Sequence, residues 1–131
     1  MSGVAVVIAK MHAHAPLTAV APASRIMAGD LPIKTQLPAI SVTLISSVPH
    51  MTVAMEEDFN TDRVQVTVLA KNYPQMRQIL RLVRAACPAT RGTVGGIAVD
   101  SIYTTGEGPD FFDDELSIVG GSRDFLVRWT A

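Results

Sequence analysis

The side chains most capable of chemistry in this chain are three histidines, His12, His14 and His50, and one cysteine, Cys87. His12 and His14 are two residues apart, a spacing that directs the two rings to different faces of a helix. They would chelate a metal only on an extended backbone, and no nucleophile or metal-ligand constellation accompanies any of the three histidines. We expect surface or packing roles for them.

Cys87 and a glycine cluster are the other candidates for chemistry. Cys87 falls on the apolar stripe of a helical pattern beside Pro88, and a single cysteine cannot form an internal disulfide, so we expect it to pack as a small hydrophobic residue. Gly92, Gly95 and Gly96 precede a strand pattern and lack the Gly-Lys-Ser/Thr of a phosphate-binding loop, so a turn explains them better. We predict no catalytic residue, no cofactor and no enzymatic activity.

A long acidic loop, at about residues 105–121, concentrates carboxylates around two adjacent aromatic rings, Phe111 and Phe112. Its acids are Glu107, Asp110, Asp113, Asp114 and Glu115. The last three could serve as ligands of a hard cation, but the side chains of consecutive residues diverge and the spacing of a calcium-binding loop is absent. We therefore predict no metal site in this loop.

The same acidic loop is the candidate interaction arm. Loops longer than about a dozen residues within a compact domain are usually functional or mobile. Exposed Phe111 and Phe112 would lower the solubility of a monomer, whereas an interface can bury both rings and leave the carboxylates at its polar rim. The alternative is a flexible, solvated hairpin with no role in the isolated protein.

A cationic helix face is the candidate partner of that loop. The pattern over residues 75–87 places Arg77, Arg81 and Arg84 opposite the apolar stripe, with no acidic residue in the helix to neutralise them. Simple solvation explains such a face, because arginine is a good helix former. The functional reading is a docking stripe for an acidic surface. We hypothesise that the loop of one subunit, through Phe111, Phe112, Asp113, Asp114 and Glu115, meets Arg77, Arg81 and Arg84 of another subunit or of a partner protein.

The elements that would position these residues are clearest between residues 62 and 87. Residues 62–71 alternate with period two and put Val64, Val66 and Val68 on one side of a strand. Residues 75–87 then switch to the helical period, with an apolar stripe at i, i+3, i+4 and i+7. Pro74 suits the first helical turn and Pro88 ends the helix. The sequence thus predicts a strand and an amphipathic helix that share one core.

The remaining elements are shorter. We predict a helix over about residues 4–14, an irregular loop to about residue 36, a strand from Pro38 that ends at Pro49, and a short strand over 51–55. A charged turn at 56–60, a loop at 90–96 and strands over 97–104 and 122–130 complete the pattern. The order α-β-β-α-β-β predicts an α+β fold: a two-layer sandwich with a mostly antiparallel sheet of about four to five strands and helices on one face.

Composition limits the class of protein. The chain has 131 residues, of which 48% are hydrophobic and 18% charged, with a formal net charge of -1. This length predicts one domain over residues 1–131, and the charge excludes a generally polycationic nucleic-acid binder. The apolar run at 4–9 is too short for a membrane span and lacks a signal-peptide pattern, so we expect a cytoplasmic protein with no membrane partner.

Several segments together resemble a known family. Arg63-Val-Gln-Val-Thr-Val-Leu-Ala-Lys71, followed by Tyr73 and Val83-Arg-Ala-Ala86, resembles the tail-completion, or tail-terminator, family of long-tailed bacteriophages. Three other segments agree in order: Ala23-Ser-Arg-Ile26 with Leu31-Pro32, Leu37 to Ile45, and Ser122-Arg-Asp-Phe-Leu-Val-Arg-Trp129. The similarity spans nearly the whole chain and consists of packing patterns, not of invariant chemistry.

The resemblance implies a structural virion protein. Its family role would be a homo-oligomeric ring, usually hexameric, that caps the tail tube, joins the tail to the head-tail connector and lets genomic DNA pass through its lumen without sequence-specific binding. Such a protein would be assembled in the host cytoplasm and would reside in the tail or neck of the virion. The alternatives are a head-completion or stopper protein of the neck and, from another class, a small cytoplasmic enzyme.

Overall fold

One curled β-sheet forms most of the molecule. The computed structural model describes residues 2–29, 31, 36–51, 53, 57–115 and 117–130. Its strands are β1 (Ile26–Ala28), β2 (Ala39–Met51), β3 (Glu57–Ala70), β4 (Gly92–Val94), β5 (Ile97–Glu107), β6 (Phe111–Asp113) and β7 (Ile118–Thr130). They form a 7-stranded sheet in the order β1-β2-β3-β7-β5-β4, with β6 paired to β7. All pairs are antiparallel except β1 with β2.

The predicted two-layer α+β sandwich of four to five strands is wrong. Of the described residues, 50% lie in strands and 27% in helices, and the 6 to 7 strands curl into a half-barrel. Long strands cause this shape, since β3 has 14 residues and β2 and β7 have 13 each, and the twist of such strands accumulates into coiling. Three-residue strands hidden in predicted loops, β1, β4 and β6, supply the additional strands.

Within the described ranges, three α-helices accompany the sheet: α1 (Ser2–His12), α2 (Ala15–Thr18) and α3 (Tyr73–Ala86), with a short 3-10 turn at Ala23–Arg25. Both long helices pack on the same face of the sheet. The backbone N–H of Gly3 in α1 reaches Asp62 of β3, and Met76 of α3 lies against Gly121 of β7. Among the described helices, none has the length and apolar character needed to cross a membrane.

The strand and helix predicted over residues 62–87 are confirmed. In β3, Val64, Val66 and Val68 are fully buried. Helix α3 begins after Asn72, whose side-chain Oδ1 accepts a hydrogen bond from the Gln75 backbone N–H at 2.9 Å, an N-cap. The buried face of this helix contains Met76, Ile79, Leu80 and Val83 of the predicted apolar stripe, together with Ala86. The last predicted member of the stripe, Cys87, is buried as the C-cap residue after the helix.

The predicted boundaries elsewhere need correction. Strand β2 does not end at Pro49 but continues to Met51, and β7 begins at Ile118, four residues before the predicted start. Residues 57–60 of the predicted charged turn belong to β3, and residue 51 of the predicted short strand belongs to β2. Residues 52 and 54–56 lie outside the described part of the chain.

Candidate assembly surfaces

The acidic loop lies against the first turn of α3 in the same chain. The Tyr73 hydroxyl donates a hydrogen bond to Asp110 Oδ2 at 2.8 Å, and Arg77 Nη1 donates to Glu107 Oε2 at 3.0 Å. The distance from Arg77 Nη1 to Asp110 Oδ1 is 4.0 Å, and the ring of Phe112 stacks on that of Tyr73 at 6.3 Å with 20° between the planes. We call these five residues, Tyr73, Arg77, Glu107, Asp110 and Phe112, the loop cluster.

A nearly buried arginine supports the loop cluster from the sheet. Arg123 on β7 is 7% exposed; it donates a hydrogen bond to Thr104 Oγ1 at 2.9 Å and pairs with Glu107. Glu107 therefore lies between two guanidinium groups, those of Arg77 and Arg123. The Gly108 backbone N–H also donates to the Ser122 carbonyl at 3.1 Å. The start of the acidic loop is thus fixed by charge and by backbone bonding.

The electrostatics of the loop cluster follow from these contacts. Desolvation alone would raise the pKa of Glu107, but the hydrogen bonds and charges of Arg77 and Arg123 outweigh it, and the pKa is lowered. The hydrogen bond to Asp110, with smaller contributions from desolvation and from the negative charge of Asp110, raises the pKa of Tyr73. The hydrogen bond and charge of Glu107 raise the pKa of Arg77. The cluster therefore favours an ionised Glu107 beside an ionised Arg77.

Strand β6 holds the aromatic part of the loop. Phe111, Phe112 and Asp113 pair with Gly120, Val119 and Ile118 of β7. The Phe111 ring packs so closely on Gly120 that a Cβ atom at residue 120 would overlap it. Even so, Phe111 is 43% exposed and Phe112 is 63% exposed, and the acidic residues 113–115 at the tip are exposed as well.

The structure thus brings some predicted interface residues together within one chain and leaves others apart. Arg77 and Phe112 belong to the loop cluster, whereas Arg81 and Arg84 are exposed further along α3. In the described part of the chain, no hydrogen bond or ion pair joins either of these two arginines to the loop. The predicted contact between loop and arginine face exists inside one subunit through Arg77 and stays a prediction between subunits.

A second surface lies at the border of the sheet, on β2. Strand β1 pairs only with residues 40–42 of β2, so residues 43–51, which we call the β2 edge, pair with β3 on one side and with no described strand on the other. Its exposed apolar side chains include Leu44, Ile45, Val48 and Met51, and Val53 beyond it is exposed too. The β2 edge contains no Asp, Glu, Lys or Arg.

A buried carboxylate anchors the base of the β2 edge. Asp62 is 1% exposed and accepts hydrogen bonds from the Gly3 backbone N–H at 2.9 Å, the Ser47 hydroxyl at 2.5 Å and Trp129 Nε1 at 2.9 Å. These donors belong to α1, β2 and β7. A single side chain on β3 therefore ties α1 to β3 and to its two neighbouring strands, β2 and β7.

Near its C-terminal end, the β2 edge is held by stacked aromatic rings on the face of the sheet that points away from Asp62 and the helices. His50 stacks on Phe59 with 4.2 Å between ring centroids, and its Nε2 lies 3.1 Å from Thr61 Oγ1. The Arg128 guanidinium lies over the same Phe59 ring at 4.8 Å. Three strands are cross-linked here by stacking and cation–π contact.

The sequence prediction overlooked the β2 edge, although one signal was present. Pro49 was taken as the end of the strand, but proline is tolerated within an edge strand, where its missing N–H deprives no neighbour. A charge-free run from Ser41 to Met51 containing such a proline indicates an edge. Nothing in the sequence identified Asp62 as buried, because its three donors are distant along the chain.

The residues considered first for chemistry lie in separate places. His12 Nε2 is 3.2 Å from the Ile26 carbonyl oxygen, His14 precedes α2, and His50 is part of the ring stack on β2. Burial raises the pKa of the Cys87 thiol to about 12, so the thiolate is strongly disfavoured at neutral pH. Among the described residues, no group of three or more His, Cys, Asp or Glu side chains could hold a metal ion.

Comparison with known proteins gives a likeness in fold. No protein-family model and no curated protein sequence matches the chain. Among solved structures, it is similar to a chain in the virion of a native gene transfer agent particle, with a TM-score of 0.70 and 11% sequence identity. The similarity covers 99% of this chain and 97% of that chain. The protein therefore shares, over its full length, the fold of a chain found in a virion particle.

Proposed function

We propose that this protein is a structural virion protein of the tail-terminator type, which forms a ring on the tail tube and joins the tail to the head connector. The observation that carries the proposal is the full-length likeness in fold to a chain of a virion particle, at 99% coverage of this chain. The resemblance of the residues around β3 and α3 to tail terminators agrees with it. The fold supports the virion role, and the resemblance supports the finer assignment to the tail.

The exposed surfaces of the molecule favour a role in assembly with other protein chains. The β2 edge offers unpaired backbone and exposed apolar side chains, and the loop tip offers Phe111, Phe112 and exposed carboxylates. Both are features of protein interfaces, in which apolar groups are covered and charged groups remain at the rim. We infer that the protein acts by binding and not by catalysis.

The two surfaces lie at opposite ends of the sheet, as a ring with two different faces would require. In β3, Asn60 at the β2-edge end pairs with Trp129, whereas Ala70 at the other end pairs with Val119 beside β6. The β2 edge contains no Asp, Glu, Lys or Arg, whereas the loop at the other end is acidic and aromatic. A cyclic assembly of this chain would present the tail tube and the head connector with distinct chemistry.

The acidic loop and the arginine face remain our candidates for contacts between subunits or with a tail protein. Arg77 already neutralises Glu107 within its own chain, so Arg81 and Arg84 are the arginines available to carboxylates of a neighbour. The complementary groups are Asp113, Asp114 and Glu115 at the loop tip, beside Phe111 and Phe112. Opposite charges at an interface rim mainly set orientation and association rate.

The face of the sheet without helices suits a lumen through which DNA passes. Its side chains on β2 and β3 are largely hydroxyls and amides, among them Ser41, Thr43, Thr61, Gln65 and Thr67. The Arg63 guanidinium on this face is paired with Asp124 at 2.7 Å. Arg128 lies on the same face, over the Phe59 ring. A mostly polar face with few charges attracts phosphate weakly, so DNA would bind weakly and without sequence preference.

Native mass spectrometry of the chain, alone and mixed with tail-tube protein, tests this proposal. A closed ring, hexameric by the family resemblance, that forms alone or on the tube is the expected result. Preferential binding to the head connector would indicate a stopper protein of the neck instead. A persistent monomer that carries a stoichiometric small ligand and ignores the tube would overturn the proposal in favour of an enzyme.

Charge reversal tests the loop and arginine contact separately. Arg81→Glu and Arg84→Glu should each weaken ring assembly or tube binding by about two- to fivefold, the effect of a rim ion pair, and the loss should shrink at high salt. Arg91→Glu, an exposed arginine on another segment, is the matched control. Assembly that is equal in all three variants would remove the arginine face from the proposal.

A further inference from the structure

The sheet has a second open border that matches the β2 edge. Strand β4 pairs only with residues 97–99 of β5, so residues 100–107, which we call the β5 edge, pair with β7 on one side and with no described strand on the other. Its charges are confined to its ends, at Asp100 and Glu107, and Tyr103 between them is 50% exposed. Among the described residues, each border of the sheet therefore carries N–H and C=O groups that pair with no strand, along a segment without charge in its middle.

We propose that the β2 edge of one copy pairs with the β5 edge of the next copy, so that the sheets of all subunits join around the ring. The occupant of the β2 edge is thus a second copy of this chain. This inference rests on the proposed ring. It adds which residues close that ring and in which strand direction they pair.

Strand direction supports this pairing. From β2 through β3 and β7 to β5 every pair is antiparallel, so β2 and β5 of one subunit run in opposite directions. Copies related by a rotation around the ring axis keep the same orientation, and the β2 edge therefore meets the neighbouring β5 edge in antiparallel register. The contact is head-to-tail, the type that generates closed rings.

The position of the free segments fixes a stagger between neighbouring copies. The β2 edge lies at the end of the sheet where Asn60 pairs with Trp129, whereas the β5 edge extends to Glu107, which pairs with Arg123 nearer the other end. Pairing the two free segments requires neighbours to be offset along the strand direction. Closed sheets of tilted strands have such an offset, so a staggered joint is compatible with closure.

The size of the joint is adequate for a stable contact. Pairing about eight residues of each edge forms roughly eight backbone hydrogen bonds, within the typical range of about 10 ± 5 for an interface. The half-exposed Leu44, Ile45, Val48 and Met51, with Val53, present on the order of 400 Å² of apolar surface, about half of what one partner buries in a standard interface. The polar side chains and backbone of the two strands supply the rest.

The absence of charge on the β2 edge also fits an obligatory partner. Proteins that leave an edge strand exposed commonly place lysine or other charges on it to prevent pairing with further chains. The β2 edge has Pro49 and register shifts at Leu44/Ser46 and His50/Met51, but it has no Asp, Glu, Lys or Arg. The β5 edge likewise has no charge between its ends. An edge that must accept another strand cannot carry these charges in its middle.

Two charge insertions and a control test the joint. Val48→Lys places a charge on the β2 edge at a side chain that is 52% exposed, and Tyr103→Lys does the same on the β5 edge. Ala13→Lys adds the same charge at an exposed position after α1. Each edge variant should require at least about tenfold more protein for half-assembly than Ala13→Lys. Circular dichroism and the thermal midpoint check that each variant folds.

Mixing the two edge variants distinguishes a head-to-tail joint from other arrangements. Each variant retains one intact edge, so an equimolar mixture should form a 1:1 dimer in native mass spectrometry, whereas each variant alone stays monomeric. Dimers of Tyr103→Lys alone would indicate β2 edges paired with each other and would overturn the proposal. Rings of Val48→Lys as stable as those of the control would also overturn it, while leaving the proposed ring function intact.

Hydrogen exchange on the unmodified protein gives a result that does not depend on the folding of any variant. Backbone amides in residues 44–51 and 101–106 should become protected when dilute monomer assembles, alone or on the tail tube. Rings whose edge amides exchange as fast as in the monomer would refute the joint. Failure of the unmodified chain to form any ring, alone or with tail-tube protein, would instead refute the proposed function.

Discussion

The two ends of the β-sheet differ in how they hold their exposed apolar side chains. At the loop end, Phe112 is fixed by stacking on Tyr73, and the adjoining acids are paired with Arg77. At the other end, Leu44, Ile45 and Val48 are exposed along a strand with one unpaired side. The loop end therefore pairs several of its charges within one chain, whereas the backbone groups along one side of the β2 edge pair with no described strand.

This difference separates a preformed recognition surface from an incomplete one. A partner that docks on the loop cluster finds a fixed arrangement and has little ordering entropy to overcome. A strand that pairs with the β2 edge adds backbone hydrogen bonds that the monomer can make only to water. We expect the edge to drive association and the loop to select the partner.

The largest expected effect comes from Asp62, at the base of the β2 edge. Asp62→Ala leaves the buried Gly3 N–H and the partly buried Trp129 indole N–H without their acceptor, and it removes the tie between α1 and the strands. Unsatisfied buried donors cost about 1–3 kcal/mol each, so the loss should be about 3 kcal/mol in the free energy of unfolding. Urea unfolding of the purified monomer measures it.

Asp100→Ala is the control for that measurement, because Asp100 is an exposed carboxylate on β5. Its substitution should change the free energy of unfolding by less than about 0.5 kcal/mol. A loss below about 1 kcal/mol for Asp62→Ala would mean that the β2 edge is not anchored through this carboxylate. The β2 edge would then be weakly held at Asp62 as well as open along its unpaired side.

An intermediate effect is expected from Gly120, beneath the aromatic ring of the loop. Gly120→Ala places a methyl group where the Phe111 ring lies, and the ring must leave. The substitution should lower the free energy of unfolding by about 1–2 kcal/mol. The structural change should be confined to the loop end, because the displaced Phe111 ring can move into solvent. Limited proteolysis should show faster cleavage within residues 107–117 and no change at the β2 edge.

A double substitution provides the matched control at this site. In a Phe111→Ala background the added methyl group meets no ring, so Gly120→Ala should have little further effect on cleavage or on stability. Equal effects of Gly120→Ala with and without Phe111 would show that the contact between them does not hold the loop. The loop end would then be as open as the β2 edge.

The features of the fold that the sequence predicts are those set by residues close together in the chain. The β3 strand and α3 were predicted because each has a regular apolar period and local boundary signals at Asn72, Pro74 and Pro88. The fold class was missed because strands of three residues, such as β4 and β6, show no period, and because curling is a property of the whole sheet. Local patterns report elements, while sheet shape depends on all strands together.

The candidate site shows the same limit. The sequence correctly drew attention to the acidic loop and to Arg77, yet charges alone cannot tell whether a carboxylate meets an arginine of its own chain or of a neighbour. Arg77 and Glu107 are 30 residues apart and meet because β5 returns beside β7 near the start of α3. An open edge likewise becomes visible only when the position of every strand in the sheet is known.

The smallest expected effect is a pH dependence of the loop end. The pKa of Glu107 is lowered in the folded protein, so the folded state binds fewer protons at this group than the unfolded chain. Its stabilising contribution is therefore complete above its ordinary pKa of 4.5 and is lost as the pH falls through the lowered value. We expect a contribution of up to about 1 kcal/mol, because the pair is partly exposed.

Comparing Glu107→Gln with Glu115→Gln measures this contribution. Glu107→Gln should be less stable than the unmodified protein at pH 7, and the difference should vanish at acidic pH, where the unmodified protein has lost the same charge. Glu115 is exposed at the loop tip, so Glu115→Gln should have the same stability as the unmodified protein at every pH. If the free energy of unfolding decreased equally with falling pH in Glu107→Gln and Glu115→Gln, the acid-sensitive contacts would lie elsewhere in the protein.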